Sequence, residues 1–124
     1  MILVDTSIWV DHMAKPHPIM SGLLLKENVL MHPFVLGEVA MGHIHKRNLV
    51  LGTLSVFETA RIAREEEVLD FLSTHKLYGR GIGYIDVHLL TSVKLTPGTL
   101  LWTRDKRLLA AASGLGIAYR PLLN

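Results

Sequence analysis

Met1-Ile2-Leu3-Val4-Asp5-Thr6-Ser7-Ile8-Trp9-Val10 opens the chain. Ile2, Leu3 and Val4 form an apolar run without polar alternation, the pattern of a strand buried on both faces. The run stops at an acid. Asp5-Thr6-Ser7 offers helix-capping side chains ahead of Ile8-Trp9-Val10, so Asp5 stands where a strand hands over to a helix. A buried strand followed at once by a helix implies α/β architecture, with a central parallel sheet and helices on both faces. In such sheets, ligand sites form outside the carboxyl ends of the strands.

Working outward, the pattern predicts a helix over 19–26 and a strand over 29–31. Pro33 then opens a helix running through Phe34 to about Lys46. The stretch 49–59 fits helix, strand or both in sequence. Ala63 to Thr74 reads as a helix with Glu65, Glu66 and Glu67 near its positive end. Gly79, Gly81 and Gly83 interrupt the chain before a helix from about Tyr84 to Lys94, and Pro97-Gly98 makes a turn. Thr99 to Thr103 is a buried strand, Arg104 to Ser113 a helix, and Ile117-Ala118-Tyr119 a last strand. Asp5 and Asp105 both closely follow strands, so they can meet at one end of the sheet.

The 124 residues are 49% hydrophobic, enough for a core without disulfides or a structural metal. No repeat, low-complexity run or linker divides them, and a single domain over residues 1–124 is expected. No basic stretch precedes the first apolar run, so it is not a signal peptide, and no run reaches the ~18 residues of a membrane helix. Zero cysteines exclude disulfides and thiolate metal sites and agree with a cytoplasmic location. Net charge is only +2, so whole-molecule charge supports a polyanionic partner weakly. The local basic clusters are His45-Lys46-Arg47, which the simplest account puts at a helix carboxyl end, and Arg104-Asp105-Lys106-Arg107, whose cations flank an acid.

Four acids carry the chemistry: Asp5, Glu38, Asp86 and Asp105. Glu38 has Phe34, Val35, Met41 and Gly42 at helical spacing, and Asp86 has Ile82, Gly83, Leu89 and Leu90, which predicts inward faces for both. Asp105 lies between Leu101-Trp102 and Leu108-Leu109. Brought together, four carboxylates would repel with about 4 kcal/mol per pair at ~4 Å and an effective dielectric of ~20. Bound cations or proton uptake would relieve this. Oxygen donors without cysteine or a paired histidine suit a hard cation, Mg²⁺ or Mn²⁺, whose usual work is phosphoryl transfer or phosphodiester cleavage.

Met1 to Ser7, Leu36-Gly37-Glu38-Val39, Gly83-Tyr84-Ile85-Asp86-Val87-His88-Leu89-Leu90 and Leu101-Trp102-Thr103-Arg104-Asp105-Lys106-Arg107-Leu108 together resemble the successive motifs of PIN-domain ribonucleases. More narrowly they resemble VapC-type toxins of bacterial toxin–antitoxin operons. The resemblance spans nearly the whole chain. It implies a PIN-like three-layer sandwich and a Mg²⁺- or Mn²⁺-dependent endoribonuclease. It also implies an antitoxin protein whose carboxyl-terminal segment lies in or beside the pocket, an RNA substrate and a homodimer. It assigns Asp5, Glu38, Asp86 and Asp105 to the metal pocket, with Asp5 and Asp86 as the firmest ligands and Asp105 acting directly or through water. Thr103 would support the cluster through its hydroxyl. Arg104, Lys106 and Arg107 stand near enough in sequence to contact RNA phosphates.

Other signals are weaker. None of the seven histidines forms an i, i+4 pair of zinc-ligand type. Gly79-Arg80-Gly81-Ile82-Gly83 follows a helix rather than a strand and is expected to be a loop entering the next helix. Trp9 and Trp102 lie in apolar runs that favour packing over base stacking. A phosphatase of the HAD type would need a second acid where Ser7 stands. The remaining alternative is a PIN-fold RNA- or protein-binding module without nuclease activity.

Overall fold

A computed structural model describes residues 1–121. Its elements, in chain order, are β1 (Ile2–Val4), α1 (Thr6–Ala14), α2 (Pro18–Leu25), β2 (Val29–Leu30), α3 (Pro33–Ala40), α4 (Arg47–Ser55), α5 (Glu65–Thr74), α6 (Tyr84–Leu95), β3 (Leu100–Trp102) and α7 (Lys106–Gly114). The strands are parallel, in the order β2-β1-β3, with Ile2 opposite Val29 and Leu100. Single bridges from Met31 to Thr59 and from Leu101 to Ala118 extend the two edges.

All three residues of β1 are buried. Since successive strand residues face opposite ways, both faces of the sheet are covered by helices. Chain direction explains how. From β1 the chain moves to one side to form β2 and then returns past β1 to form β3, and right-handed crossovers in opposite directions place their helices on opposite faces. The core between the layers contains Leu3, Met20, Leu30, Val35, Leu89, Leu90, Leu101 and Leu108, all fully buried. Each contributes about 1.5–3 kcal/mol over an exposed position.

Three boundaries differ from expectation. The helix expected to reach Lys46 ends at Ala40, where Met41 and Gly42 turn their N–H groups back to Glu38 and Val39. Lys46, in the left-handed region at φ +53°, then redirects the chain into α4. The basic run His45-Lys46-Arg47 therefore precedes a helix instead of ending one. Arg47 nonetheless serves a helix carboxyl end, because its Nη1 donates to the Ala40 carbonyl of α3 at 2.6 Å. The stretch 49–59 is mainly helix, with the one bridge at Thr59. The start of α5 moves from Ala63 to Glu65, because the Glu67 carboxylate accepts the backbone N–H of Arg64 at 2.9 Å and begins the helix there. The strand expected over 117–119 is reduced to the bridge at Ala118.

Candidate active site at the carboxyl end of the sheet

Asp5 leaves β1 and is the N-cap of α1, its Oδ1 accepting the Thr6 N–H at 2.8 Å. Oδ2 accepts two hydroxyls, Thr103 Oγ1 at 2.7 Å and Ser7 Oγ at 3.0 Å. The residue is only 6% exposed, and each hydrogen bond to a charged acceptor contributes about 1.5–3 kcal/mol. Three donors thus orient a carboxylate that burial alone would disfavour.

The same hydroxyls join neighbouring segments. Thr103 Oγ1 accepts the Asp105 N–H at 3.1 Å, and Ser7 Oγ accepts the Arg104 N–H at 3.1 Å. The end of β1 and the end of β3 are therefore clasped side by side. Asp105 caps α7, its Oδ1 accepting the N–H groups of Arg107 and Leu108 at 2.9 and 3.0 Å. Arg104 is turned to α1, where its Nε and Nη2 meet the two Asp11 carboxylate oxygens at 2.7 and 3.2 Å.

Asp86 lies in the first turn of α6, with Oδ2 accepting the Gly83 N–H at 3.2 Å. Burial raises its pKa from the ordinary carboxylate value, partly opposed by the Gly83 bond and reinforced by the negative charges of Asp5, Asp105 and Glu38. Asp86 is thus within electrostatic reach of each of the other three acids. Glu38, on α3, accepts the Thr6 hydroxyl at 2.7 Å. The inward face expected for Glu38 is corrected: it is exposed, because two of its apolar neighbours, Phe34 and Met41, are themselves 38% and 87% exposed. Asp105 is exposed and Asp86 half-buried.

The donor chemistry fits a hard divalent cation, being all carboxylate oxygen with hydroxyls behind it. Among the described residues, no three acidic or histidine side chains stand close enough together to hold one ion directly. The reason is local. Each carboxylate uses at least one oxygen for its own helix start or for a neighbouring hydroxyl, and three of them sit at positive helix ends, where an anion is favoured.

Sequence reasoning missed two working hydroxyls. Asp5, Thr6 and Ser7 together are the capping side chains the sequence offers; Asp5 is the cap, while Thr6 and Ser7 lie inside α1, bonded to Glu38 and Asp5. Their adjacency to Asp5 was the available signal. Several histidines also have structural work: Nδ1 of His17 and of His32 accepts the backbone N–H that begins α2 and α3, and His12 Nδ1 accepts the His17 N–H. His88 is buried, edge-on to Phe34 and Tyr84. Both tryptophans are core residues, 3% and 5% exposed.

Beside Glu38, a groove of about 690 Å³ runs between α1 and α4, with Val10, Met13, Ile44 and Leu49 among its walls. No described helix is long and apolar enough to cross a membrane.

Comparison with known proteins agrees with this architecture. The PIN-domain family model matches residues 2–114. Ribonuclease VapC32 of Mycobacterium tuberculosis, in strains CDC 1551 / Oshkosh and ATCC 25618 / H37Rv, is 42% identical over 118 residues, 95% of either chain. Among solved structures, FitAcB from Neisseria gonorrhoeae has a TM-score of 0.61 at 19% identity, covering 91% of this chain and 94% of that one. FitAB bound to an IR36 DNA fragment has a TM-score of 0.59 at 19% identity, with 91% of both chains covered. These two share the fold. The chain belongs to the PIN-domain family and, within it, to the VapC ribonucleases.

Proposed function

We propose that this protein is a metal-dependent endoribonuclease that cleaves RNA phosphodiester bonds as the toxin of a toxin–antitoxin pair, working in the cytoplasm from one PIN domain. The observation that carries this reading is the clasp between β1 and β3, where the Thr103 hydroxyl links Asp5 to the Asp105 backbone, with Asp86 and Glu38 in electrostatic reach. Asp5 and Asp86 would hold Mg²⁺ or Mn²⁺, with Glu38 and Asp105 beside them. Such an ion supplies Lewis-acid charge to a phosphodiester and makes a water more acidic.

The chain's own groups do the remaining work. Thr103 and Ser7 keep the Asp5 carboxylate from rotating. Asp86, its pKa raised by burial and three anions, takes up a proton more readily than an ordinary carboxyl and gives it up when positive charge arrives. Cation binding is therefore coupled to proton release and weakens as pH falls. Lys106 and Arg107, in the first turn of α7, are the cations free to meet RNA phosphates, since Arg104 is held by Asp11.

The groove beside Glu38 is the seat we propose for the carboxyl-terminal segment of an antitoxin, with apolar side chains along its walls and Glu38 among them. A homodimer belongs to the same reading. Leu25, Leu49 and Val56 are 86%, 66% and 81% exposed, in the apolar stretches 19–25 and 49–57, whose composition is compatible with a buried interface.

Cleavage of a structured RNA with Mg²⁺, with EDTA, and by Asp5→Asn protein tests the activity. Chelation or the substitution should reduce the rate by about a thousandfold or more, in the range expected when electrostatic stabilisation of a transition state is removed. Activity indifferent to both would overturn the reading, and intact RNA in every arm would favour the binding module.

A further inference from the structure

The loop Gly79-Arg80-Gly81-Ile82-Gly83 joins α5 to α6, and one of its glycines faces a side chain from another element. A Cβ added at Gly81 would lie 2.6 Å from Arg107 Nη1, 2.9 Å from Cδ and 3.0 Å from Cζ. The guanidinium thus lies against the bare Cα of Gly81, in space that any other residue's side chain would fill. Gly79 has nearly the same left-handed backbone, φ +71° against +76°, yet nothing lies within 4 Å of its would-be Cβ. Backbone conformation calls for glycine at both positions. Only at Gly81 would an added Cβ also meet a side chain and force it to shift.

Arg107 begins on α7, where its backbone N–H caps onto Asp105, and ends on the loop two residues before Gly83, the partner of Asp86. Its side chain therefore bridges the starts of the two helices that carry Asp86 and Asp105. Among the described residues it makes no ion pair with either acid or with any other carboxylate. The neighbouring Arg104 contrasts with it, being held by Asp11 at 2.7 Å. An arginine placed by packing and left without an anion keeps its planar fork of donors available for a phosphate.

We infer that Arg107 is an anchor for a backbone phosphate of RNA at the edge of the acid pocket, and that Gly81 is its positioning residue. This rests on the endoribonuclease reading and names the residue by which that site grips its substrate. The four carboxylates would repel RNA. A guanidinium between two of the helix starts supplies local attraction without neutralising the pocket, and the room left over Gly81 lets it lie there instead of on Asp86 or Asp105.

Binding of a fluorescein-labelled single-stranded oligoribonucleotide of mixed sequence, followed by anisotropy at several salt concentrations with EDTA present, tests this apart from cleavage. Arg107→Gln should weaken binding about tenfold and lower the slope of log affinity against log salt by about 0.7, the loss of one phosphate contact. Gly81→Ala should reproduce both effects, whereas Gly79→Ala, with the same backbone strain and no contact, should not. In Arg107→Gln protein, Gly81→Ala should add no loss beyond that of Gly79→Ala. Arg107 is exposed, so its variant tests the anchor even where Gly81→Ala fails to fold. Unchanged affinity and slope in Arg107→Gln, Gly81→Ala behaving as Gly79→Ala does, or wild-type protein that binds no RNA would each overturn the inference. Wild-type protein that binds RNA but cuts none on addition of Mg²⁺ overturns the nuclease reading alone, while cleavage with KM unchanged in Arg107→Gln overturns the anchor alone.

Discussion

Two sets of helix starts do the same job with different chemistry. At α1, α6 and α7 an aspartate accepts the first backbone N–H groups, whereas at α2 and α3 a histidine Nδ1 does so. Each arrangement satisfies donors that a helix cannot satisfy itself. They differ in charge. An aspartate gains about 0.3–1 kcal/mol from the positive helix end, so anions can be brought together there at a repulsive cost that shows in Asp86. His32 must keep Nδ1 unprotonated to accept the Phe34 N–H, and it is fully buried, with burial and the nearby His88 lowering its pKa to about 4. The aspartate caps make a site that wants positive charge, and the buried His32 cap belongs to a core that excludes it.

The largest test of this contrast is Asp86→Asn. Cleavage should fall by about a thousandfold or more, yet the metal-free protein should melt a few degrees higher at neutral pH. The sign comes from linkage: a carboxyl whose folded pKa is raised contributes stability at low pH that is lost as pH rises through that pKa, so its charged form opposes folding near neutrality. Thermal melting in EDTA measures this, and a lower melting temperature would mean that the acids are not in mutual repulsion.

At the histidine end, the neutral His32 should make stability fall as pH drops from about 6.5 towards about 4, by about 3 kcal/mol across the window. Here the folded pKa is depressed, so the contribution is full above the unfolded value and disappears in acid. Urea unfolding at the two ends of that window measures it. His32→Asn keeps a capping oxygen and should flatten this part of the pH profile, with cleavage per folded molecule at neutral pH unchanged. A profile as steep as wild type would remove His32 from the account.

The smallest effect expected is at the clasp. Thr103→Val removes the donor to Asp5 and the acceptor of the Asp105 N–H, and should reduce cleavage about tenfold, the worth of one hydrogen bond to a charged group. Thr103→Ser should restore it. Equal rates for Thr103→Val and wild type would show that the hydroxyl does not orient the acid.

Legibility depended on how local each feature is. β1 was readable because three consecutive apolar residues on a strand admit few alternatives, and Asp5 and Asp105 were brought to one end of the sheet because Asp5 directly follows β1 and Asp105 comes three residues after the end of β3. The junction of α3 and α4 was not readable: Lys46 takes a left-handed conformation without being glycine, and Arg47 reaches back to a carbonyl on the preceding helix. Glu38 misled because apolar neighbours at helical spacing imply burial only where they are buried themselves, and Phe34 and Met41 are not. The histidine caps left no signal, since histidine is outside the usual capping set.

From residue order alone came the alternation of strands and helices, the parallel sheet and the identity of four acids, three of them at helix starts, because those depend on periodicity and on the residues that terminate each apolar run. Tertiary structure decided which hydroxyls hold Asp5, that Arg104 is engaged by Asp11 while Arg107 lies against Gly81, and that each carboxylate bonds locally before any ion arrives. The bonds that hold Asp5 and Arg104 join groups more than 90 residues apart across two strand ends, and the approach of Arg107 to Gly81 joins two separate helix starts, which no local pattern encodes.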